Sequence, residues 1–374
     1  MRIGVIGGGQ LARMMQPAAI ALGLDLKVLA ESENSSAQHA ASMIGDYTDF
    51  ETLSAFSKTV DVITFDHEHV PVEHLKNLED GGIAVRPSSA ALIHAQNKLT
   101  MRRAMQSLNL PQPAWREIKS AEQLTEFIQE HGPAIVKTPV GGYDGKGVQV
   151  ANSAEDVSHW LDSLDRFGGS LLAEQKVNFK RELSQLSARN ESGEFATWPL
   201  VQTIQRNGVC SEVIAPAPDS NSHAIAKEIA KAVAEGLGVT GVMAVELFED
   251  ENGNLLINEL AMRPHNSGHF SIEGATTSQF EQHLRAVSNL PLGSTAMKSD
   301  YAVMVNLLGV NESNTFVEHY ESAMQLFPEV KFHSYEKSAR TGRKMGHLTA
   351  LGGDWQELLK KTTAARDVLY RGGV

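Results

Sequence analysis

In the middle of the chain, two lysines and a run of glycines are residue types that commonly bind phosphate. Lys137 ends the short apolar run 134–137, and Lys146 lies in the glycine-rich stretch that joins this run to a second one beginning at Val148. Glycines let the backbone approach phosphate oxygens closely, and lysines supply positive charge. The Gly-x-x-x-x-Gly-Lys-Ser/Thr spacing of a Walker loop is absent, so the stretch predicts a β-hairpin flap over a nucleoside triphosphate. An ordinary hairpin with a flexible tip is the alternative.

A second predicted hairpin carries two carboxylates. Asn252 and Gly253 separate two alternating apolar runs, which is the strongest short-range signal for a hairpin. A two-residue turn at this pair places Glu246 opposite Glu259, and like charges directly opposite on one sheet face repel. A bound Mg²⁺ that also contacts substrate phosphates resolves this repulsion, and Asn258 offers a further oxygen. The alternative is two solvated glutamates on an exposed face.

The segment that follows this hairpin, from Arg263 to His269, is unusually polar. It reads Arg-Pro-His-Asn-Ser-Gly-His. An arginine, imidazoles, an amide and glycine N–H groups beside a carboxylate pair that binds a metal form a receptor for an oxyanion, and we call residues 263–269 the oxyanion loop. A purely structural loop is the alternative, because loops are generally polar.

The first glycine-rich segment follows the apolar run 2–6 and precedes a predicted helix. Residues 7–12 fit the Gly-x-Gly-x-x-Ala form of the dinucleotide fingerprint, and Glu31 lies where a ribose partner would be expected. These features support an NAD-dependent oxidoreductase as a rival hypothesis. However, the N–H groups at a helix N-terminus bind many anionic ligands, and this hypothesis leaves the second glycine stretch and the carboxylate hairpin unexplained.

The composition is that of a globular protein with more than one core. The chain has 374 residues, of which 42% are hydrophobic and 21% charged, and this excludes a disordered chain. Its formal net charge of −12 argues against general nucleic-acid binding, which needs a basic face. The single cysteine, Cys210, rules out an internal disulfide and a cysteine-based metal site. The lack of a signal peptide's apolar core and of a membrane-spanning apolar run predicts a soluble cytoplasmic protein.

Alternating strand and helix patterns dominate the first hundred residues. Strands are predicted at 2–6, 25–29, 61–65 and 84–87, and helices at 10–22 and 98–108. This alternation predicts an α/β fold with a doubly wound parallel sheet. We expect three domains: an amino-terminal domain at 1–98, a small glycine-loop lid at 99–172, and a larger α+β domain at 173–374. The last of these includes a small β/α extension from about residue 297, which ends in a helix at 355–370.

Taken together, these motifs resemble the ATP-grasp enzymes, and among them the N5-carboxyaminoimidazole ribonucleotide synthetases. The resemblance covers almost the whole chain. Six segments carry it: Gly7 to Met14, Thr64 to Val70, Gly142 to Gly147, Asn258-Glu259, Arg263 to His269, and Gly342 to His347. It implies a Rossmann-like amino-terminal domain followed by the lid and the carboxy-terminal domain of an ATP-grasp fold.

The resemblance also implies a ligase reaction of de novo purine biosynthesis. In this family, ATP, bicarbonate and 5-aminoimidazole ribonucleotide give N5-carboxyaminoimidazole ribonucleotide, ADP and phosphate. Bicarbonate attacks the γ-phosphate to form carboxyphosphate, which then delivers its carboxyl group to the exocyclic amine of the ribonucleotide. Such a reaction needs cations that neutralise developing charge and a closed site that keeps water from the mixed anhydride. Mg²⁺ and a hinged glycine flap meet these needs.

The family's site residues are carried over to the matching positions of this chain. By resemblance, the ATP-binding residues are Lys98, Lys137, Gly142, Tyr143, Asp144, Gly145, Lys146, Gly147, Val148, Glu174, Gln175, Lys176, Val177, Glu182, Gln205, Asn258 and Glu259. The implied magnesium ligands are Glu246 and Glu259, and the implied catalytic residues are Arg263, His265, Asn266 and Asp144. The ribonucleotide's base or ribose would contact Gln10, Glu68 and Tyr143, and its 5′-phosphate would contact Lys337, Arg343 and Lys344. Within the ATP set, the backbone of 174–177 would read the adenine edge, and Glu182 would bind the ribose hydroxyls.

Three positions depart from the family's usual residues, and two other kinds of protein remain possible. Gln205, Asp66 and Lys98 replace a histidine, a glutamate and an arginine, and each keeps charge or hydrogen-bonding capacity. A sister ATP-grasp ligase, such as formate-dependent glycinamide ribonucleotide transformylase or biotin carboxylase, would use the same ATP site with another acceptor. A nucleotide sensor would not need the carboxylate pair and the oxyanion loop. The family also suggests a homodimer that acts on small molecules and binds neither nucleic acid nor membranes.

Overall fold

The computed structural model describes residues 1–142, 147–310 and 316–371. The strands of the first sheet are β1 (Arg2–Ile6), β2 (Asp25–Ala30), β3 (Ala41–Ile44), β4 (Val62–Phe65) and β5 (Ala84–Val85). The helices around it are α1 (Gln10–Leu22), α2 (Phe50–Ser57), α3 (Val72–Asp80), α4 (Ser89–Gln96) and α5 (Lys98–Ser107). The sheet is parallel in the order β3-β2-β1-β4-β5, so the predicted parallel sheet is confirmed. The sequence pattern missed β3, a half-exposed strand at the sheet edge.

The central strand β1 is buried on both faces. Ile3 and Val5 pack in one apolar core with Leu11 of α1, whereas Ile6 packs in another with Phe65 of β4. A strand that is covered on both faces is expected to be apolar throughout, as is typical of parallel sheets. This double burial fixes the glycine loop that follows β1.

A small antiparallel sheet carries the glycine-rich flap. Its strands are β6 (Trp115–Ile118), β7 (Ala134–Lys137), β8 (Val148–Ala151) and β9 (Leu171–Gln175), in the order β6-β9-β7-β8, with helices α6 (Ala121–His131) and α7 (Ser158–Leu161). The predicted hairpin is confirmed, because β7 pairs with β8 and the Thr138 N–H donates to the Gly147 carbonyl at 3.0 Å. The flap tip, Tyr143 to Lys146, lies outside the described residues. Strand β9 crosses residue 172, where we expected the lid to end.

A large antiparallel sheet forms the rest of the chain. Its strands are β10 (Phe179–Arg189), β11 (Phe195–Thr197), β12 (Val201–Arg206), β13 (Val209–Ala215), β14 (Gly241–Asp250), β15 (Leu255–Ala261), β16 (Tyr301–Leu308), β17 (Lys331–Ser334) and β18 (Lys344–Gly352). Its helices are α8 (His223–Gly236), α9 (Ser271–Gly274), α10 (Gln279–Val287), α11 (Tyr320–Leu326) and α12 (Trp355–Arg371). The order is β15-β14-β10-β12-β13-β16-β18-β17, with β11 on β10, so the terminal extension continues the same sheet. Across the described ranges, no helix has the length and apolar character needed to cross a bilayer.

Helix α10 joins the first sheet to the large sheet. His283 is fully buried, and its Nδ1 accepts from the Val242 N–H at 3.0 Å. Its Nε2 therefore donates to the Thr64 hydroxyl, 2.7 Å away. Burial lowers the pKa of His283 to about 3, so the ring is neutral at physiological pH. This contact fixes β4 relative to β14, and both strands lead into site residues.

The hairpin of β14 and β15 differs from the predicted register. Its turn has three residues instead of two: the Asp250 N–H donates to the Asn254 carbonyl at 3.0 Å, and Gly253 adopts φ +81°. The Asp250 carboxylate stabilises this turn by accepting from the Asn252 and Asn254 N–H groups, each at 2.8 Å. The prediction of a two-residue turn is therefore wrong.

A bulge in β15 nevertheless brings the two glutamates together. Val245 pairs with Leu260 and Leu247 pairs with Ile257, so one residue of β14 stands opposite two of β15. The single residue is Glu246, and the two are Asn258 and Glu259. The expected proximity of the carboxylates is thus confirmed, although it arises from a three-residue turn combined with a bulge.

Candidate active site

A buried ion network holds Lys137 next to the carboxylate hairpin. The Glu174 carboxylate accepts from Arg102 Nε at 2.7 Å and from Lys137 Nζ at 2.9 Å, and all three side chains are less than 10% exposed. Arg102 also donates to the carbonyl oxygens of Ile257 and Asn258 at 2.7 and 2.8 Å. Burial opposes ionisation of Glu174, but the two cations hold its pKa below the usual value. The network therefore fixes a lysine ammonium group beside the bulge of β15.

Lys137 faces both bulge residues. Its Nζ lies 3.3 Å from Asn258 Oδ1 and 3.9 Å from Glu259 Oε1, so these side chains point to the same side. Burial, together with repulsion from Glu246, raises the pKa of Glu259 although the Lys137 ammonium lowers it. Two carboxylates that repel each other beside an amide oxygen form a donor set that suits a hard divalent cation.

Glu246 is held from the other side by the oxyanion loop. His265 Nε2 lies 3.1 Å from Glu246 Oε1, and this contact lowers the pKa of Glu246 although burial works against it. Glu182 lies diagonally across the sheet on β10, where burial and then repulsion from Glu246 raise its pKa to about 7. Glu246 thus interacts with two predicted site residues: Glu182, which we predicted to bind the ATP ribose, and His265 of the oxyanion loop.

The oxyanion loop is braced by hydroxyl and amide side chains. The Ser267 hydroxyl lies 2.8 Å from His265 Nδ1 and 2.8 Å from the Ser184 hydroxyl. Asn266 and Asn306 exchange hydrogen bonds of 3.0 and 2.8 Å through their side-chain amides. The Asn266 side chain, which we predicted to be catalytic, is thus buried and bonded within the protein.

Arg263 is oriented by a residue of the amino-terminal part. Its Nε donates to Glu68 Oε2 at 2.9 Å, and Glu68 Oε1 accepts from the Met262 N–H at 2.9 Å. The sequence predicted a ribonucleotide contact for Glu68. In the structure its carboxylate connects the loop after β4 to the exit of β15.

Lys98 ties the base of the flap to α5. Its Nζ donates to the carbonyl oxygens of Gly141 and Gly142 at 2.8 and 3.3 Å, and its N–H donates to the Pro139 carbonyl at 2.9 Å. Burial lowers the pKa of the Lys98 ammonium. The two lysines outside the flap tip that we predicted to bind phosphate therefore both lie at the flap base, one on α5 and one at the end of β7.

The end of β9 and the residues after it, 174–177, are the segment whose backbone we predicted to bind adenine. Some of its N–H groups donate to carbonyl oxygens of the protein. The N–H groups of Gln175 and Lys176 donate to the carbonyl oxygens of Ala114 and Pro133 at 2.8 and 3.0 Å. The side chains of both residues are exposed, whereas Val177 is half-buried. Further along the large sheet, Gln205 lies on β12 at an irregular pairing with Cys210. Val148 begins β8 and is 37% exposed.

A loop of the terminal extension reaches the amino-terminal glycine segment. Lys337 Nζ donates to Gln10 Oε1, and the neighbouring Tyr335 carbonyl accepts from the Ser36 hydroxyl at 2.6 Å. Glu336 accepts from Arg13 Nη1 at 2.7 Å. The structure therefore brings Lys337 and Gln10 together, as the resemblance implies, although 327 residues separate them in sequence.

The basic segment 337–344 is electrostatically strained. Burial lowers the pKa of Lys337 to about 8, and repulsion from Arg343, Lys344 and Arg340 adds to this effect although Asp66 opposes it. Arg343 Nη1 donates to the carbonyl and hydroxyl oxygens of Ser338 at 3.1 and 2.9 Å. Crowded positive charges of this kind favour a bound anion.

The amino-terminal glycine loop is occupied by the protein's own carboxylates. Asp66 Oδ1 accepts from the Ala12 N–H at 2.7 Å, and a Cβ at Gly9 would lie 1.9 Å from Asp66 Oδ2. Glu31 accepts from the Gly8 N–H at 3.0 Å, and its bond to His67 is the main reason that its pKa falls to about 2. These N–H groups are the ones that a dinucleotide pyrophosphate would need. The geometry therefore argues against the NAD-dependent oxidoreductase.

The small sheet that carries Lys137 and the flap hairpin, together with the large sheet that carries the carboxylate pair, defines an ATP-grasp protein. The ATP-grasp domain family matches residues 103–280 of the chain. The ribonucleotide synthetase preATP-grasp domain matches residues 1–96, and the phosphoribosylaminoimidazole carboxylase C-terminal domain matches residues 302–361. The chain belongs to the N5-carboxyaminoimidazole ribonucleotide synthase family, a group of ATP-grasp ligases in purine biosynthesis.

Relatives and solved structures of this family align over nearly the full chain. The N5-carboxyaminoimidazole ribonucleotide synthase of Corynebacterium ammoniagenes is 45% identical, and the alignment covers 98% of this chain and 91% of the relative. The crystal structure of the synthetase from Thermus thermophilus superposes with a TM-score of 0.86 at 36% identity, covering 100% and 99% of the two chains. The Aspergillus clavatus enzyme in complex with ADP and 5-aminoimidazole ribonucleotide superposes with a TM-score of 0.88 at 29% identity, covering 99% of both.

Proposed function

We propose that this chain uses ATP and bicarbonate to carboxylate the exocyclic amine of 5-aminoimidazole ribonucleotide. One observation carries the proposal: the oxyanion loop connects the carboxylate hairpin to the strands that carry the basic segment. His265 Nε2 lies 3.1 Å from Glu246 Oε1, and Asn266 bonds to Asn306 of β16, which pairs with β18, the strand that begins at Lys344. A phosphorylated acceptor held by this segment would therefore lie close to the carboxylates that face the nucleotide phosphates. The relatives carry this activity in their names, and the Aspergillus clavatus structure contains the same acceptor with ADP.

The carboxylate hairpin and the lysines are proposed to hold the ATP phosphates and a divalent cation. Glu246 and Glu259 would bind Mg²⁺ with Asn258 beside them, and Lys98 and Lys137 would contact phosphate oxygens. In the part of the chain that the structure describes, no three His, Cys, Asp or Glu side chains form a metal cage. Phosphate oxygens would therefore complete the coordination, as is usual for Mg²⁺. When bound, the ion neutralises charge that develops on the transferred phosphoryl group.

The oxyanion loop is proposed to hold bicarbonate and carboxyphosphate. A bicarbonate oxygen attacks the γ-phosphorus, the bond to ADP breaks, and carboxyphosphate then releases phosphate as its carboxyl carbon reaches the amine, which loses a proton. The Arg263 guanidinium, fixed by Glu68, supplies donors for these anions, and the His265 imidazole, bonded to Glu246 and Ser267, holds the loop beside the carboxylate hairpin.

The remaining roles complete the proposal. Glu182 would bind the ATP ribose, the backbone of 174–177 the adenine, and Gln10 with Lys337, Arg343 and Lys344 the ribonucleotide. The flap tip, from Tyr143 to Lys146, would close over both substrates, with Asp144 in a catalytic role. We also propose a homodimer in the cytoplasm, with a domain limit near residue 98, a lid that continues past residue 172 to the end of β9, and an extension from about 297.

The first test measures ADP release by the purified protein with Mg²⁺ and bicarbonate. Strong stimulation by 5-aminoimidazole ribonucleotide, and none by glycinamide ribonucleotide with formate, supports the proposal. The reverse pattern would keep the ATP-grasp chemistry but assign another acceptor. No ATP turnover under either condition would refute a ligase function and favour a nucleotide sensor.

Lys337→Ala is expected to raise the KM for the ribonucleotide by about ten- to a hundredfold, because a charge-assisted contact to phosphate contributes about 1.5–3 kcal/mol. The KM for ATP should stay within about threefold, since Lys337 contacts Gln10 and not the carboxylate hairpin. Initial rates at saturating concentrations of the other substrates measure both constants. Lys331→Ala, an exposed lysine of β17, is the matched control. Equal changes in the two KM values would contradict a role in binding the acceptor phosphate.

The lowered pKa of Lys337, about 8, predicts that acceptor binding weakens in alkali. Below pH 8 the ammonium is charged and binds phosphate; above it the amine is neutral. We therefore expect the KM for the ribonucleotide to rise by up to about tenfold from pH 7 to pH 9. Lys337→Arg, whose guanidinium stays charged over this range, should give a flat profile. A profile that rises equally in both proteins would place the titrating group elsewhere.

A further inference from the structure

Gln279 is a buried side chain to which the proposed mechanism gives no role. It begins α10 and is 0% exposed. Its Oε1 accepts from the His265 N–H at 2.8 Å, and its Nε2 donates to the His265 carbonyl at 2.8 Å and to Nδ1 of His269 at 2.8 Å. One amide side chain thus bonds both backbone polar groups of the residue whose imidazole contacts Glu246.

The surroundings leave this amide little room to move. A Cβ at Gly268 would lie 2.4 Å from Gln279 Oε1, so the loop backbone passes directly over the amide. The Gln279 N–H donates to the Ser271 hydroxyl at 2.9 Å, and that hydroxyl donates to the Gly268 carbonyl at 2.6 Å. Residues 265 and 268 of the oxyanion loop are therefore both tied to the start of α10.

We propose that Gln279 is a positioning residue for the carboxyphosphate step, an inference that rests on the proposed function. By holding the His265 backbone, it sets the imidazole 3.1 Å from Glu246 and keeps the oxyanion loop in place beside Arg263. A loss of this bond pair lets the loop shift without removing a group that touches substrate. A shift of about 1 Å in such a loop can cost about a hundredfold in rate.

The expected defect is specific to the intermediate. ATP would still bind through Lys98, Lys137 and the carboxylate hairpin, none of which contacts Gln279 in the described hydrogen bonds. Carboxyphosphate that forms in a misaligned loop is exposed to water before the amine reacts. The protein would then release ADP without a matching amount of carboxylated product.

The chain offers a closely matched control one helical turn away. Gln282 lies on the same helix and is also 0% exposed. Its Nε2 donates to the Gly293 carbonyl at 2.8 Å, and its Oε1 accepts from the Gly293 N–H at 2.7 Å. It therefore makes the same pair of backbone hydrogen bonds, but to a loop that carries no proposed site residue.

The experiment compares Gln279→Met with Gln282→Met. Each change keeps the length of the side chain and removes a pair of hydrogen bonds to one backbone residue. Q279M also loses the bond to His269 Nδ1, so we expect its thermal midpoint to fall somewhat further than that of Q282M. Acceptor-dependent carboxylation should fall about 30- to 100-fold in Q279M and less than about threefold in Q282M. The ratio of ADP released to carboxylated product should rise above the wild-type ratio only in Q279M. The KM for ATP should change less than about threefold in both.

One result would contradict the positioning role of Gln279, and a different result would contradict the proposed function. Equal losses of turnover in the two variants, with an unchanged ratio of ADP to product, would overturn the positioning role while leaving the proposed function intact. A wild-type protein without acceptor-stimulated ADP release would instead refute the proposed function itself. If Q279M does not fold, the pair Q279N and Q282N, which shortens each amide by one carbon, is measured with the same expectations.

Discussion

Replacement of Glu259 by glutamine should reduce acceptor-dependent ADP release by at least about a hundredfold while the protein remains folded. The change is isosteric but removes one of the two negative charges that face each other across the bulge of β15. Preorganised charge at a phosphoryl-transfer site contributes several kcal/mol to transition-state stabilisation, and each 1.4 kcal/mol is about tenfold in rate. Steady-state ADP release over a range of Mg²⁺ concentrations measures the effect, and excess Mg²⁺ should restore part of the activity.

The stability of this variant supplies an independent check. In the metal-free protein, partial burial and repulsion from Glu246 raise the pKa of Glu259, whose side chain is 40% exposed, so its ionised form weakens the fold only slightly. When folding raises the pKa of an acid, its ionisation destabilises the folded protein, and this destabilisation grows as the pH rises above the acid's usual pKa. Metal-free E259Q should therefore unfold at the same temperature as the wild type or a higher one at pH 8. Glu251→Gln, at the exposed tip of the same hairpin, is the control. Full turnover of E259Q at ordinary Mg²⁺ would refute the metal assignment.

Replacement of Arg102 by methionine should cost about 3–5 kcal/mol of stability, because it leaves a buried carboxylate with only one of its two cations. The methionine fills similar space, but the carbonyl oxygens of Ile257 and Asn258 lose the hydrogen bonds that Arg102 donates. Urea unfolding followed by circular dichroism should show a clearly lower midpoint. The neighbouring Arg103→Met removes an exposed pair with Glu117 and should cost less than about 1 kcal/mol. Similar midpoints for the two variants would contradict the importance of the buried network.

The contrast between these two arginines shows what local sequence could reveal and what it could not. They are adjacent on one helix, yet only Arg102 is buried, because it faces Glu174 and Ile257, which lie 72 and 155 residues away. The helical period of α5 places Arg102 on its buried face, but nothing within the helix indicates these distant partners. The same holds for Gln279, whose role depends on the close approach of the oxyanion loop to α10. Sequence reasoning therefore missed the residues that brace the site from a distance.

Residues placed by local patterns were predicted with more success. The bounds of α1 and β1 follow from an apolar strand, a glycine turn and an amphipathic helix, and both are confirmed. The carboxylate hairpin was recognisable because all its parts lie within about twenty residues, whereas its turn was wrong by one residue because Asp250 stabilises a longer loop. Lys337 could be assigned to the glycine segment only through family resemblance, since nothing local connects the two.

The three-residue turn and the bulge of the carboxylate hairpin have a joint consequence for how related sequences are compared. Side chains alternate between faces along a strand, so a slip of one residue turns each of them over. The longer turn introduces such a slip, and the extra residue of β15 cancels it within the bulge that contains Glu259. A relative that gains or loses one residue at the distant tip keeps both carboxylates on one face only if the strand changes length as well. In an alignment of this hairpin, a gap at the tip therefore has to be matched by a gap in the strand.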